Sequence, residues 1–459
     1  MIELSYKTKR ILKIIGISAF IIYIYLLCFT WLIQIDFNAA SDEKMKYDIC
    51  KYLFENNKLP HGGDESIRDA SYGISYAFTP ILSYMISATF MKITSLFTQN
   101  FNYIFMSAKF VSVLCITGYA IITTKIAGKL FNGIYKWLFI IFVTLLPEVI
   151  FLGSYLNNDS LALFSISIIL YSWILGLESN WSWKSCIIMA IGIGICALSY
   201  YNAYGYILCS IIIYFASCYI KKMKIKELLK KGIVIFLIAF AIAGWWFIRS
   251  YIIYDGDFLG LNTLNEHAQK YAMEYLKPSN RPTPANKNLS LTYMLFDMGW
   301  LKTTINSFIG IFGYMDVKMQ PILYYCYNTI LTIGIIGIII SIVLKTIKKL
   351  RNRTNKAISQ EEKDKKHEKI LFNVIMVISI IIPILLSLYY SYYSDFQPQG
   401  RYIMPIIFPL IYFIVLGFKF IFEKIIKNDE VRNIVLTAII IFWAIMPIYI
   451  YYRYIVLYL

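Results

Sequence analysis

Charged residues are scarce in this sequence, and their scarcity defines the class of protein. Only 15% of the 459 residues are Asp, Glu, Lys or Arg, whereas 59% are hydrophobic. A soluble globular chain is about one-quarter charged and about half apolar. The apolar excess is concentrated in stretches of about 20 residues, the length that an α-helix needs to cross about 30 Å of hydrocarbon. The composition therefore excludes a soluble domain with a single anchor and predicts a protein that crosses the membrane many times.

Three further absences narrow that class. The alternating pattern of a membrane β-barrel is absent, so the long apolar runs are expected to be helices, which satisfy their own backbone hydrogen bonds. The eight cysteines include no Cys-x-x-Cys pair and no metal-ligand spacing, which predicts small core residues. The first apolar run, 11–35, is too long for the core of a signal peptide and lacks a small-residue cleavage site. It is therefore predicted to be the first membrane helix.

The expected fold is an all-α transmembrane bundle of about 11 helices, with interfacial helices in the first exterior loop. The predicted spans are 11–34, 103–124, 137–155, 160–177, 185–199, 205–220, 232–253, 322–344, 370–391, 403–423 and 433–456. In the long loop 254–321, residues 291–312 are predicted to form a partly apolar helix docked on the membrane.

The net charge of +17 predicts orientation rather than a nucleic-acid partner. The basic residues lie in short segments between apolar runs, as the enrichment of Lys and Arg in cytoplasmic loops produces. The N-terminus and the basic connector 345–369 are therefore assigned to the cytoplasm. The segments assigned to the outside are 36–102, 156–159, 200–204, 254–321 and 392–402.

The stretch 76–97 allows two interpretations. It is apolar enough to span, but a span here would reverse the rest of the chain and place Lys125, Lys129 and Lys136 outside. The charge bias therefore favours a helix at the outer interface, with Tyr76 and Tyr84 at headgroup depth.

Acidic residues at the outer ends of predicted helices are the first candidates for chemistry. Asp42 and Glu43 follow the first span, and an Asn-Asn-Asp run at 157–159 joins two later spans. Carboxylates in an exterior loop are usually only solvated, although an acidic pair can also accept a proton from an attacking hydroxyl group or orient it. One Asn or Asp is enough to cap a helix. Three in a row leave open both capping alone and capping combined with a function.

Two arginines near outer helix ends are the second set of candidates. Arg249 ends a Trp-Trp-Phe-Ile-Arg run, where interfacial snorkelling competes with a function in a polar interior. Arg401 lies at the entrance of a predicted span and opposes the charge bias. Its planar fork suits a bidentate phosphate, and backbone N–H groups at a helix start also favour anions. Together the acids and arginines suit group transfer from a lipid phosphate at the interface.

These elements resemble the GT-C superfamily of membrane glycosyltransferases. More closely, the sequence is similar to a bacterial membrane-protein family of unassigned function within that group. The matching elements occur in order along almost the whole chain: Asp42-Glu43, the proline-bearing segment 76–84, Asn158-Asp159, the run 244–249 with Tyr-Asp-Gly-Asp at 254–257, and Gln399-Gly-Arg-Tyr402.

The resemblance implies transfer of a sugar from a polyprenyl-phosphate donor to an acceptor outside the cytoplasm, in cell-envelope glycan biosynthesis. The acceptor could be a glycan, a lipid or a protein. Asp42 would be the base or would orient the acceptor, with Glu43 in support, while Arg401 and Arg249 would hold the donor phosphate. The remaining residues assigned to substrate binding are Asn158, Asp159, Gln399, Tyr402, Tyr76 and His61. The implied division is a catalytic module 1–255, the exterior loop 256–321 and C-terminal helices 322–459.

The sequence departs from the close family at one position. That family usually carries a histidine a few residues after the acidic pair, where this chain has Lys46-Tyr47, and the nearest histidine is His61. Some GT-C enzymes use a divalent metal and others do not, so a metal is an open expectation.

Two other functions compete with the enzyme. A transporter or flippase of lipid-linked intermediates predicts ionisable residues near the bilayer midplane and paired discontinuous helices. The charged residues lie instead at helix ends, and a midspan segment such as 329–343 is almost purely aliphatic. A noncatalytic subunit of envelope assembly would share the fold but tolerate loss of Asp42.

Overall fold

The computed structural model describes residues 6–351 and 359–459, so part of the predicted connector, 352–358, lies outside the described residues. The α-helices are α1 Tyr6–Gln34, α2 Glu43–Asn56, α3 Leu82–Ser95, α4 Phe101–Leu130, α5 Gly133–Thr144, α6 Pro147–Leu152, α7 Asp159–Ser179, α8 Trp183–Ala197, α9 Gly205–Ile220, α10 Ile225–Ile253, α11 Leu261–Tyr271, α12 Leu291–Phe296, α13 Trp300–Gly310, α14 Pro321–Arg351, α15 Gln360–Tyr393, α16 Ile407–Ile425, α17 Asp429–Ile450 and α18 Val456–Tyr458.

Short elements join these helices. The 3₁₀ turns are Glu65–Ile67, Tyr76–Phe78, Tyr201–Ala203, Glu274–Leu276 and Gly400–Ile406, and a π turn covers Tyr451–Ile455. The strands β1 Ile311–Phe312 and β2 Val317–Lys318 form an antiparallel ribbon in which Phe312 faces Val317. The expected all-α class is confirmed, because this ribbon is the only sheet in the described part of the chain.

Nine helical segments of the described residues are long and apolar enough to cross a membrane, which makes the chain a multi-pass membrane protein. They coincide with nine of the 11 predicted spans. The predicted single helix over 137–155 is wrong, because α5 ends at Thr144 and α6 begins at Pro147. Proline has no N–H, and it pushes the preceding residue out of the helical region; Leu146 accordingly has φ −64° and ψ 131°. The prediction 185–199 corresponds to α8, which has only 15 residues.

The stretch 76–97 forms a 3₁₀ turn followed by α3 rather than one long helix. With 14 residues, α3 is about 21 Å long, short of the hydrocarbon thickness of about 30 Å. This length agrees with the interfacial interpretation. The Tyr84 side chain is fully buried within the protein and Tyr76 is directed toward a cluster of charges, so their position at headgroup depth stays a prediction.

The core lies between the long helices and holds seven of the eight cysteines as small buried residues. Close helix contacts depend on glycine, as is common in membranes. At the crossing of α14 and α16, a Cβ on Gly417 would overlap the carbonyl of Gly334. This rigid packing fixes the position of α16 and therefore of the turn Gly400–Ile406 that precedes it.

The predicted helix 291–312 is two helices, α12 and α13, separated by a turn at Gly299. Gly299 has φ +71°, a conformation that non-glycine residues rarely adopt. The helix α13 packs against both α6 and the turn Gly400–Ile406. The exterior loop therefore contacts the segments on either side of it, and the predicted division into 1–255, 256–321 and 322–459 stays a prediction.

Candidate active site

The first turn of α2 brings the charged residues Asp42 and Lys46 next to each other. Asp42 is the N-cap residue, with φ 59° and ψ 15° in the left-handed region. Asp is one of the few residues that visit this region, and such conformations cluster at functional sites. Lys46 follows one turn later and donates its backbone N–H to the Asp42 carbonyl at 3.2 Å. Residues four apart share a helix face, so the carboxylate and the ammonium group are neighbours.

Arg401 lies beside Asp42, although the two residues are far apart in the sequence. It lies in the 3₁₀ turn Gly400–Ile406, which is held against α13 by a hydrogen bond from Gly400 N–H to Ser307 Oγ at 2.9 Å. A Cβ at position 400 would overlap the backbone nitrogen of Phe308. The glycine before Arg401 is therefore required by the close approach of two backbones.

Asp42 and Arg401 form an ion pair across 359 positions of sequence. Asp42 Oδ2 accepts a hydrogen bond from Arg401 Nη2 at 2.8 Å, and the side chains are only 26% and 9% exposed. Burial opposes ionisation of Asp42. The charges of Arg401 and Lys46 and hydrogen bonds with Arg401 and Tyr76 outweigh that effect and lower the pKa of Asp42 to about 2. The carboxylate is therefore ionised and already paired.

Lys46 is also a charged member of this cluster. In the sequence it stood out only because the close family usually has a histidine there. Its ammonium group is buried, donates to Ser41 O at 3.0 Å, and lies 5.4 Å from the ring centroid of Tyr155 and 5.7 Å from that of Tyr76. Burial and the charge of Arg401 lower the pKa of Lys46 to about 8, although Asp42 opposes this. Its spacing of four from Asp42 was the signal that placed both on one face.

Tyrosines enclose the charged cluster. Arg401 donates to Tyr402 Oη at 3.3 Å and its guanidinium carbon lies 5.1 Å from the Tyr402 ring centroid. The Tyr76 hydroxyl is buried, and burial followed by the charge of Asp42 raises its pKa well above the usual value. Tyr200 is close enough to influence Tyr76 as well. Two predicted site residues, Tyr76 and Tyr402, thus lie beside the ion pair in surroundings that exclude much of the water.

Glu43 does not face the ion pair. Its Oε1 accepts the backbone N–H of Leu156 at 3.0 Å and its Oε2 accepts that of Asn38 at 3.1 Å. Burial raises the pKa of Glu43, while nearby Lys109 and these hydrogen bonds oppose the rise. Glu43 therefore joins the loop after α1 to the loop before α7 and fixes the backbone on which Asp42 sits.

The three residues of the Asn-Asn-Asp run make different contacts. Asn157 Oδ1 accepts the backbone N–H of Ser160 at 2.9 Å, so it is the residue that caps α7. Asn158 Nδ2 donates to Ser199 O at 3.4 Å and makes no cap. Asp159 is buried, and its charge raises the pKa of Lys46. Capping thus accounts for one of the three residues and leaves Asp159 beside the charged cluster.

Glu148 is a further buried acid that was not among the predicted site residues. It is the first residue after the Pro147 that starts α6, and its Oε2 has no hydrogen-bond partner in the described structure. Arg401 is among the charges that act on it, and Arg401 Nε also lacks a partner. An ionisable residue inside a predicted span was the available signal, since such residues are functional candidates by default.

Arg249 and His61 lie in a different group of residues, which we call the loop junction and define as Pro60, His61, Arg249 and Tyr254. Arg249 Nη2 donates to Pro60 O at 2.8 Å, and its guanidinium carbon lies 5.3 Å from the Trp246 ring centroid. The His61 and Tyr254 rings are 5.0 Å apart. Within the described residues, the hydrogen bonds and ring contacts of Arg249 do not include Asp42 or Arg401. The structure therefore does not bring the two predicted phosphate-binding arginines together.

Gln399 also makes its contact away from the ion pair. Its side-chain amide donates to Gln397 Oε1, and Gln397 in turn donates to Asp395 Oδ2 at 2.9 Å. This chain of contacts orders the segment that leads into Arg401. Gln399 supports the site through the backbone, and direct binding by its side chain stays a prediction.

The use of a divalent cation at this site stays an open expectation. Among the described residues, no group of three or more His, Cys, Asp or Glu could hold a metal ion. Asp42 is already paired with a guanidinium group, and the buried ammonium group of Lys46 adds a second positive charge. Arg401 and Lys46 thus face the carboxylates of Asp42 and Asp159, and the buried acid Glu148 also interacts with Arg401.

Two solved structures show which known fold this chain shares. The apo oligosaccharyltransferase of Archaeoglobus fulgidus is 13% identical, with a TM-score of 0.51, over 96% of this chain and 55% of that protein. The ArnT protein of Cupriavidus metallidurans bound to undecaprenyl phosphate is 12% identical, with a TM-score of 0.49, over 93% and 63% of the two chains. The chain therefore spans little more than half the length of these proteins. It has the fold of the GT-C membrane glycosyltransferases.

Sequence comparison then gives the particular family. A family profile described as "Predicted membrane protein (DUF2142)" matches residues 54–411, most of the chain. The chain belongs to this family, whose function is unknown. The expected resemblance to a GT-C-like family of unassigned function is confirmed. No curated protein matches the sequence.

Proposed function

We propose that this protein transfers a sugar from a polyprenyl-phosphate donor to a glycan, lipid or protein acceptor outside the cytoplasm, in assembly of the cell envelope. The N-terminus would be cytoplasmic and the site would open to the extracytoplasmic side. The proposal depends on one observation: the largely buried ion pair between Asp42 and Arg401, which joins residues 359 positions apart at 2.8 Å. The shared GT-C fold supplies the class of reaction, and the solved relatives include a complex with undecaprenyl phosphate.

Arg401 would bind the donor phosphate. A guanidinium group matches phosphate oxygens in a bidentate manner, and low local dielectric strengthens the interaction. The phosphate would compete with Asp42 for Arg401, because both are anions that need the same N–H groups. Hydrogen bonds that move to phosphate leave Asp42 less stabilised as an anion, so its pKa rises from about 2 when the donor binds.

Asp42 would then act on the acceptor. The acceptor's nucleophilic oxygen forms a bond to the anomeric carbon of the sugar while the bond from that carbon to the phosphate oxygen breaks. The polyprenyl phosphate departs with the electron pair, and Arg401 stabilises the charge that develops on it. The acceptor proton passes to Asp42 and afterwards to solvent. Asp159 and Lys46, which lie beside the pair, would position the sugar or the acceptor.

The test measures transfer in membranes supplied with a radiolabelled polyprenyl-phosphate sugar. Asp42→Asn removes the charge and the proton acceptor while keeping the shape, so transfer is expected to fall about 100-fold or more. The matched control is Asp429→Asn, which removes the acid of another Asp–Arg pair, Asp429–Arg432, where the carboxylate is 78% exposed. This control should transfer sugar at the wild-type rate.

Two results would contradict the proposal. Unchanged transfer by Asp42→Asn at equal expression would remove the assigned role of the acid. Absence of transfer by the wild type, combined with movement of labelled lipid-linked sugar across liposomes containing the purified protein, would favour a flippase instead.

A further inference from the structure

A surface groove of about 480 Å³ lies between α2, α3 and α10. Its walls are apolar and include Leu53, Met85 and Trp245. Two other surface grooves, of about 690 and 480 Å³, have apolar and tyrosine side chains as their lining and carry no charged residue. The groove at α2 differs from both because two lysines, Lys58 and Lys92, form part of its wall.

The two lysines have no acidic partner. The lining of the groove contains no carboxylate, and neither Lys58 nor Lys92 forms an ion pair with any described residue. The neighbouring Lys51 does have a partner, Glu55, at 3.9 Å. Lys92 Nζ donates instead to Asn57 Oδ1, and Asn57 is held in the left-handed conformation, φ 53°, at the end of α2. One ammonium group is thus fixed at the rim by a neutral side chain, and its charge remains available.

The position of Trp245 indicates that the groove lies at the depth where a lipid headgroup meets the acyl chains. Trp245 is eight residues before the end of α10 at Ile253, which places it about 12 Å along the helix from that end. Tryptophan is enriched at this depth of a bilayer. The apolar wall would face the acyl chains, and Lys58 and Lys92 would face the headgroup.

We propose that this groove binds an anionic phospholipid, with its phosphate between Lys58 and Lys92 and an acyl chain against Trp245. Ammonium groups near the bilayer surface attract anionic headgroups by about 1 kcal/mol per lysine. A zwitterionic lipid could fill the apolar wall equally well, so the lysines select the anionic one. The site is distinct from the ion pair of Asp42, because α2 separates the two ends by 15 residues, or about 22 Å.

Bound lipid would hold the far end of the helix that carries Asp42. The helix α2 begins at the ion pair and ends at the groove, where its inner face, Leu53, packs in the same cluster as Tyr47 and Leu156. The inference does not depend on the proposed sugar transfer, since its test measures lipid binding alone.

The experiment titrates the purified, delipidated full chain in detergent with phosphatidylglycerol or phosphatidylcholine and counts bound lipids by native mass spectrometry. Wild-type protein should bind phosphatidylglycerol about tenfold more tightly than phosphatidylcholine, given two lysines near the headgroup. The double variant Lys58→Gln/Lys92→Gln should lose that preference. The matched control, Lys287→Gln/Lys302→Gln, removes two exposed lysines away from the groove and should keep it.

A further variant separates binding in the groove from general attraction to positive charge. Thr89 lines the groove and is exposed, so Thr89→Trp should fill the space while leaving both lysines in place. Weaker binding of both lipids by this variant would support the proposal. Equal affinity of the wild type for the two lipids, or wild-type binding of phosphatidylglycerol by either groove variant, would overturn it.

Discussion

Two arginines occupy similar places in the sequence pattern but very different places in the structure. Arg401 meets a carboxylate from the other end of the chain at 2.8 Å, in a buried cluster that includes Lys46. Arg249, in the loop junction, meets the Pro60 carbonyl at 2.8 Å and the Trp246 ring. A guanidinium group held by a backbone carbonyl fixes the position of that backbone. One held by a carboxylate can exchange its partner for another anion, which is what a phosphate-binding site needs.

The sharpest test of this comparison replaces each arginine with alanine and measures transfer of labelled sugar. Arg401→Ala should reduce transfer about 100-fold or more, since it removes the group proposed to stabilise the departing phosphate. Arg249→Ala should leave transfer near the wild-type level. Arg249→Ala should instead lower the free energy of unfolding by about 1.5–3 kcal/mol, because it removes a hydrogen bond from a charged group.

The stability of both variants needs to be followed in parallel by thermal unfolding in detergent. Arg401→Ala leaves Asp42 unpaired in a buried site, so Asp42→Asn/Arg401→Ala serves as the control that removes both charges. If Arg249→Ala abolished transfer in a folded protein, the assignment of the loop junction to architecture would be wrong.

Two glycines allow the packing beside Arg401 to be compared with the packing of the exterior loop near His61. A Cβ at Gly400 would overlap the backbone nitrogen of Phe308, whereas a Cβ at Gly63 would lie 2.5 Å from Cε1 of the His267 ring. A backbone can yield only if α13 shifts, but a ring can rotate aside. Gly400→Ala should therefore lower stability by about 1–3 kcal/mol and reduce transfer, while Gly63→Ala should have the smaller effect on both.

Thermal unfolding of the two variants in one detergent would measure the difference. A loss of stability by Gly63→Ala as large as that of Gly400→Ala would show that the contact between Gly63 and His267 is packed as rigidly as the turn beside the ion pair.

The features that depend only on neighbouring residues in the sequence could be predicted. Apolar runs predicted 11 membrane-crossing helices, and nine of them coincide with helices of sufficient length among the described residues. Helix-end acids and an arginine predicted the residues that the structure brings together as Asp42, Asp159 and Arg401. The break before Pro147 could also have been predicted, because proline marks the start of a helix more readily than its interior. Treating 137–155 as one span hid both this break and Glu148.

Contacts between distant segments could not be predicted in the same way. Nothing local distinguishes Glu43, which accepts two backbone N–H groups, from its neighbour Asp42, which faces Arg401. The direction of each side chain follows from the left-handed turn at Asp42 and from the loops packed around it. The separation of Arg249 from Arg401 likewise depends on how α10 and α16 are placed by helix packing.

The last expected effect concerns pH and depends on Lys46. Its pKa is lowered from the usual value of about 10.4 to about 8 by burial and by the charge of Arg401. The folded protein binds fewer protons at this site than the unfolded chain, so the contribution of Lys46 to stability increases as pH rises from about 8 to about 10. If the ammonium group positions the sugar or acceptor, transfer should fall about tenfold per pH unit above pH 8. Activity and stability should therefore move in opposite directions.

Lys46→Arg distinguishes this effect from a general loss of protein at alkaline pH. Arginine keeps its charge throughout the range, so the variant should show no fall in transfer between pH 8 and about pH 10. The measurement is a profile of initial transfer rates against pH, with unfolding temperatures recorded at each point. An alkaline fall that is identical in the wild type and the variant would assign the titration to another group, and Lys46 would then be a buried structural cation of the same kind as Lys109, whose ammonium group is held by the Leu32 and Ile35 carbonyls.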